Sequence, residues 1–162
     1  KYLGFELNVD LGLIINNDYV FPTVGEAPIR EKLVSIFIKD NLKQFTLIDK
    51  TANVSKTATI GMSTYIGKNA IVNALATIGQ GVILNTNSVV EHECQIGDFA
   101  HLAPSATLAG NVKVGERTFV GANSVIKQGI IVGKDVVIGA GTVVISNISD
   151  RKKIVGNPGR II

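Results

Sequence analysis

The chain has no tryptophan, one cysteine and two histidines among its 162 residues, and each scarcity removes a class of function. A lone Cys94 cannot close an intramolecular disulfide, and no basic segment followed by an apolar one opens the sequence. Nothing therefore points to secretion, and a cytoplasmic location is the expectation. No apolar run approaches the roughly 18–20 residues that a membrane-crossing helix requires, so no membrane insertion is expected. Two histidines without a cysteine pair cannot assemble the usual three-histidine or mixed thiolate sites for zinc, and no metal is expected. The formal charge of +3 would admit anionic partners, but the lysines and arginines are scattered, with no basic block interleaved with aromatics. That argues against nucleic acid.

What the chain does have is glycine (17 residues) and aliphatic side chains, arranged with a period of six. Every sixth residue from Ile48 through Val54, Ile60 and Ile66 to Val144 is aliphatic, seventeen positions without exception. Two residues earlier the side chain is small or β-branched, as at Ala52, Ala58, Thr64 and Ala70, with only Ile130 bulky. One residue later comes Gly at 61, 67, 79, 97, 115, 121, 133 and 139, or Asn at 73 and 85. These Gly and Asn residues are expected to take left-handed backbone angles at bends.

Six is not a multiple of an α-helical turn, but it accommodates a short strand, with two inward side chains, and a corner. Three strands close a triangular coil of about 18 residues, and stacked coils satisfy each other's backbone groups. The fold class expected is all-β, a parallel β-helix of between five and six coils over residues 48–162. The aliphatic positions are then core, and Cys94, in the small inward slot, is expected to be packing and not a nucleophile.

Residues 1–47 do not follow the repeat and form a partial α/β piece in this reading. Residues 11–15 and 19–24 have strand character, and Pro28 opens a helix with Ile29, Leu33, Ile36 and Phe37 on one face, ending near Asp40 or Asn41. So small a piece must lean on the β-helix or on a neighbour. After Val144 come a polar turn over residues 147–153 and an apolar end, with no long terminal helix.

Between Leu84 and Gly110 the corner residues change to Asn85, Glu91, Ala103 and Ala109, and Glu91-His92-Glu93 puts three ionisable groups on one bend. Both histidines, His92 and His101, fall outside the inward slots. An imidazole beside a carboxylate has the makings of a general base near neutral pH. The plain alternatives are a solvated polar corner at residues 91–93 and an ordinary surface histidine at 101.

The stretch Glu91-His92-Glu93-Cys94-Gln95-Ile96-Gly97-Asp98-Phe99-Ala100-His101-Leu102-Ala103-Pro104, with Ile83 to Val90 before it, Leu108 to Val112 after it and Val155-Gly156-Asn157-Pro158 near the end, resembles the bacterial hexapeptide-repeat sugar acetyltransferases. That group includes sialic acid O-acetyltransferases and UDP-4-amino-sugar N-acetyltransferases, and the likeness spans roughly residues 20–160. The resemblance implies a left-handed coil, acetyl-CoA as co-substrate, and homotrimers with active sites between subunits. It implies His92 as general base oriented by Glu93, with Asn85 and Glu91 near the acceptor sugar. His101 and the Gly110 N–H match groups near the thioester, Ala122 and Ala140 match backbone contacts along pantetheine and adenine, and Gly25 matches a nucleotide contact. The activity implied is N-acetylation of a nucleotide-linked amino sugar in glycan biosynthesis. O-acetylation of a sialic acid or other sugar is the first alternative, and a non-catalytic β-helix scaffold the second. Family members open with a Rossmann-like domain bearing a Gly-rich turn and paired acidic residues, neither of which is matched. Gly4-Phe5-Glu6 loosely resembles its second strand, so residues 1–47 are expected to be an incomplete nucleotide-sugar-binding piece.

Overall fold

A computed structural model of the chain describes residues 18–162. The expected strand at residues 11–15 and the Gly4-Phe5-Glu6 segment lie outside them. The repeat becomes seventeen two-residue strands, from β3 (Leu47–Ile48) to β19 (Val143–Val144), each ending on one of the aliphatic positions. They distribute in rotation over three parallel sheets, so each strand pairs with those 18 residues before and after it, as Val89–Val90 pairs with Ile71–Val72 and Thr107–Leu108. The result is the left-handed parallel β-helix. Its first sheet holds strands such as His101–Leu102, its second Val89–Val90 and its third Gln95–Ile96.

Inside the prism, Ile66, Leu84, Leu102, Val120 and Ile138 stack without solvent contact, as do Ala70, Ser88, Ala106 and Ser124 in the small slots. The N-terminal end is less covered: Ile48 is 45% exposed, and Val54 and Ile60 are only half-buried. The other end is closed by β20 (Lys153–Val155), which continues the first sheet in parallel, and by β21 (Arg160–Ile161), which returns antiparallel to it.

The bends correct one expectation. The residues with left-handed backbone angles are not those directly after the aliphatic position but those two places further on, among them Asn69 (φ 55°), Asn87 (56°), Glu93 (61°), Asn111 (55°) and Arg117 (56°). A non-glycine residue rarely adopts this region unless its surroundings impose it. Here the stack imposes it: the Asn87 N–H donates to the Lys68 carbonyl, Asn111 to His92 and Arg117 to Asp98, always one coil away. The glycines serve a different need, close approach. A Cβ on Gly115 would sit 2.5 Å from the backbone of Gly133 and Lys134, and one on Gly121 would sit 2.6 Å from Gly139 and Ala140.

Before the coil, β1 (Tyr19–Val20) pairs in parallel with β2 (Lys43–Gln44), a shorter strand than residues 19–24 suggested. Between them runs α1 (Ala27–Lys39), with Pro28 in its first turn, where a missing N–H costs nothing. Its buried face is Arg30, Leu33, Val34 and Phe37, not the expected Ile29, Leu33, Ile36 and Phe37; Ile29 and Ile36 are half-buried. The stripe is rotated because Arg30, a charged residue, faces the coil and bonds to it (below). Val20, Leu33 and Phe37 form a small core of their own, with Val24, Ile29 and Leu42 at its edge.

The two kinds of bend position predict opposite responses. Gly115→Ala should lower the melting temperature markedly, since overpacking costs about 1–3 kcal/mol, whereas Asn123→Gly at a φ of 56° should leave it nearly unchanged. Thermal unfolding of both variants checks this, and equal responses would contradict the assignment of the two positions.

Candidate active site

His92 stands on the bend between the second and third sheets. Its backbone carbonyl accepts from Asn111 one coil on, which places Gly110 directly above it in the stack. The imidazole lies across that glycine: a Cβ at position 110 would fall 2.5 Å from His92 Nε2 and 2.6 Å from Cε1. On the ring's other side Nδ1 is 3.1 Å from Glu93 Oε2, with both side chains more than half exposed. A solvated pair of this kind adds little stability, but it decides the tautomer. With Nδ1–H turned to the carboxylate, the Nε2 lone pair is left beside Gly110. Glu91 is half-buried, and its Oε2 accepts from the His92 N–H at 3.4 Å. Residues 91–93 and 110 thus form one cluster.

His101 occupies a different environment. It projects from the first sheet into a cleft of about 570 Å³ between the coil and the start of α1, lined by Val24, Gly25, Glu26, Ala27, Pro28, Arg117 and Phe119. The Phe119 ring, one coil on, meets it edge to face at a centroid distance of 5.2 Å. Burial, and after it the charge of Arg30, hold this imidazole below its ordinary range, so it is neutral at pH 7, and its Nε2 is buried without a hydrogen-bond partner among the described residues. Gly25, more than seventy residues distant in sequence, is therefore brought to His101.

Asn85, Ala122 and Ala140 lie on a third part of the coil, the bend between the first and second sheets. Ala122 and Ala140 are one coil apart in one column, where the Ala122 carbonyl accepts from Gly141. Asn85 Oδ1 accepts from the Thr86 N–H at 2.8 Å. Within one chain, then, His92 with Gly110 and His101 with Gly25 are separate clusters on different sides of the prism.

Two features of the site escaped the sequence reading. Arg30, 1% exposed, donates Nε–H to the Gly81 carbonyl at 2.6 Å, Nη2–H to Phe99 at 2.6 Å, and Nη1–H to Gly25 at 2.7 Å and Val24 at 3.1 Å. Burial draws its pKa down to about 10, which leaves it charged at neutral pH. Arg117 on the cleft wall is held by Asp135 at 2.7 Å, with Glu116 and Glu31 of α1 at 3.3 and 3.5 Å, and these acids raise its pKa further. The signal for Arg30 was present as a charge at the i, i+3, i+4, i+7 spacing of the buried stripe. For Arg117 and Phe119 it was their position 18 residues after Phe99 and His101.

Comparison with known proteins agrees with this architecture. A family model described as the hexapeptide repeat of succinyl-transferase matches residues 111–146. No curated protein matches the sequence. Among solved structures, PerB from Caulobacter crescentus in complex with CoA and GDP-perosamine is 32% identical with a TM-score of 0.88, the match covering 90% of this chain and 70% of that one. The acetyltransferase domain of PglB from Neisseria gonorrhoeae, bound to acetyl coenzyme A, is 34% identical with a TM-score of 0.84, covering 86% and 68%. WeeI from Acinetobacter baumannii is 27% identical with a TM-score of 0.84, covering 92% and 73%.

Acyl transfer through an enzyme thiol would need Cys94, and its setting opposes that. The side chain is fully buried in the core, donates to the Ala109 carbonyl at 3.2 Å, and is pushed up in pKa by its burial. In the folded protein Cys94 should resist iodoacetamide at pH 7.5, while the unfolded chain should be alkylated stoichiometrically, as read by mass spectrometry. Rapid labelling of the native state would overturn the packing role.

Proposed function

The chain belongs to the hexapeptide-repeat sugar acetyltransferases, and we propose that it transfers the acetyl group of acetyl-CoA directly to the amine of a nucleotide-linked sugar, with His92 as general base. The observation that carries this is the His92 imidazole braced by Glu93 on one side and resting on the bare face of Gly110 on the other.

The neutral amine attacks the thioester carbonyl carbon and its proton passes to His92 Nε2. The C–S bond then breaks, and the CoA sulfur leaves with the bonding electrons and takes up that proton. Glu93 holds Nδ1–H and steadies the cation that forms in between. The Gly110 N–H, on the coil above His92, is the donor for the carbonyl oxygen as charge develops on it. Ala122 and Ala140, with small side chains and no backbone ladder bond from their own N–H groups, suit a track along which pantetheine amides find backbone partners. Glu91 and Asn85 contact the acceptor. The cleft holding Gly25 and His101 takes the sugar nucleotide, for which GDP-perosamine bound to the Caulobacter protein is the chemical precedent.

A three-fold assembly unites the two clusters. The second sheet lies between the bend that carries His92 and the bend that carries Asn85, Ala122 and Ala140. Its outward row, Asn53, Ile71, Val89, Thr107, Val125 and Val143, is more apolar than that of the third sheet, which turns out Thr59, Thr77, Gln95, Lys113 and Ile131. Copies packed around an axis facing the second sheet set one bend of each copy against the other bend of the next. His92 of one subunit then meets the His101 side of its neighbour, and the exposure of His92 in the single chain is the exposure of half a site.

His92→Ala should lower turnover by about 10² or more, with CoA affinity kept, in an assay of CoA release over a panel of amino-sugar nucleotides and free sialic acids. Near-parental turnover would refute the base. Glu93→Gln should cost less, and Gly110→Ala, which displaces the ring, on the order of 10² with little change in melting temperature. Light scattering should report three copies. Co-expressed His92→Ala and His101→Ala chains should regain activity in mixed trimers, because each such trimer holds one junction with both histidines; no recovery would place the site within one chain.

A further inference from the structure

We propose that Arg30 is a positioning residue for the acceptor side of the reaction, locking the residue 24–25 loop onto the coil and thereby fixing the wall of the His101 cleft. This rests on the reading of that cleft as the acceptor site. Arg30 does not line the cleft, but two of its four acceptors, the Val24 and Gly25 carbonyls, belong to residues that do. The other two, Gly81 and Phe99, are left-handed bend residues of successive coils, between the third and first sheets. One planar guanidinium therefore ties the loop to two layers of the prism at once, and its fixed fork transmits their geometry to the loop.

Adhesion alone does not require an arginine here. Leu33, Val34 and Phe37 on the same face already bury α1, and taking a guanidinium out of water costs several kcal/mol before its bonds are counted. No carboxylate takes part in those bonds: all four acceptors are carbonyls, and Glu31 next along the helix goes to Arg117 instead. Among the described residues the cation thus has no paired carboxylate, and it lies beside a cleft suited to an anionic nucleotide. It also opposes a second positive charge on His101, acting with burial to keep that ring neutral. The other charged groups along the cleft are Glu26, at the start of α1, and Arg117, which is matched by Asp135, Glu31 and Glu116.

Two substitutions separate the roles. Arg30→Met removes the fork and the charge; Arg30→Lys removes the fork alone. Kinetics with the sugar nucleotide and acetyl-CoA varied in turn, and NMR titration of the two histidines, assigned through His92→Gln, supply the readouts. Arg30→Met should raise KM for the nucleotide sugar about tenfold, as expected for loss of charge-assisted positioning bonds, leave KM for acetyl-CoA nearly as it was, and move the His101 titration upward, with burial, the larger cause, still holding it low. Arg30→Lys should raise the acceptor KM similarly while His101 still titrates low. An Arg30→Met protein that melts like the parent, with acceptor KM and His101 titration both unchanged, would reduce Arg30 to a fastener. Should that variant fail to fold, the acceptor KM of Arg30→Lys decides the matter. A parent protein inactive on every amino-sugar nucleotide would count against the acetyltransferase reading itself, whereas an active parent whose acceptor KM is indifferent to both Arg30→Met and Arg30→Lys would count against Arg30 alone.

Discussion

The structure depends on one requirement, that each 18-residue coil lie flat on the next with its backbone groups matched. Parallel two-residue strands carry little pairing on their own, and only repetition through the stack makes them sufficient. The requirement reaches the bends, where the residue after the inward aliphatic must leave room for the neighbouring backbone and the residue two places later must turn left-handed and donate one coil down. Leu75, Phe99 and Arg117 accept that strained backbone region alongside the asparagines and glycines. The cost of about 1–2 kcal/mol that a side chain incurs there is met by the stack and not by local preference.

Sequence distance is consequently replaced by position within the coil. Residues 18 apart are neighbours, so Gly110 lies over His92, Phe119 over His101, and Asp135 beside Arg117. The two histidines are nine residues apart and yet on different faces. One is solvated and paired with a carboxylate; the other is dry, neutral and near a buried cation. The first setting suits proton transfer, which needs a ring that can gain charge and lose it again. The second suits a fixed hydrogen-bond partner, which must not titrate.

Much of this was legible in the sequence. The six-residue period located all seventeen two-residue strands from β3 to β19, because an inward aliphatic position tolerates no other chemistry, and it placed Cys94 correctly in the core, but it did not reach β20, which joins the first sheet off the period. The polar break at residues 91–93 was visible for the converse reason, as chemistry that packing does not ask for. The role of the bend glycines differs from the one the period suggests, since a need for space and a need for left-handed angles both select glycine, and only the folded backbone tells them apart. The buried stripe of α1 was rotated by Arg30, whose partners at Gly81 and Phe99 are 51 and 69 residues away. No local pattern announces a cation whose acceptors are backbone carbonyls.

The bends also account for where the proposed chemistry sits. Of the four residues in each, the first is constrained by the neighbouring backbone, the third by its left-handed angle and its ladder bond, and the fourth is the small inward slot. The second is free, and through the regular coils its N–H is absent from the ladder. Where a partner is present it is a side-chain oxygen, as Asp98 on Gln80, Asn85 on Thr86 and Asp150 on Lys134. His92, Gly110, Ala122 and Ala140 all occupy this second position. It alone combines an unconstrained side chain with an N–H that a ligand can claim, so the base, the donor for a carbonyl oxygen and the track for amides proposed above all draw on this one bend position, the first two at one corner of the prism and the third at another.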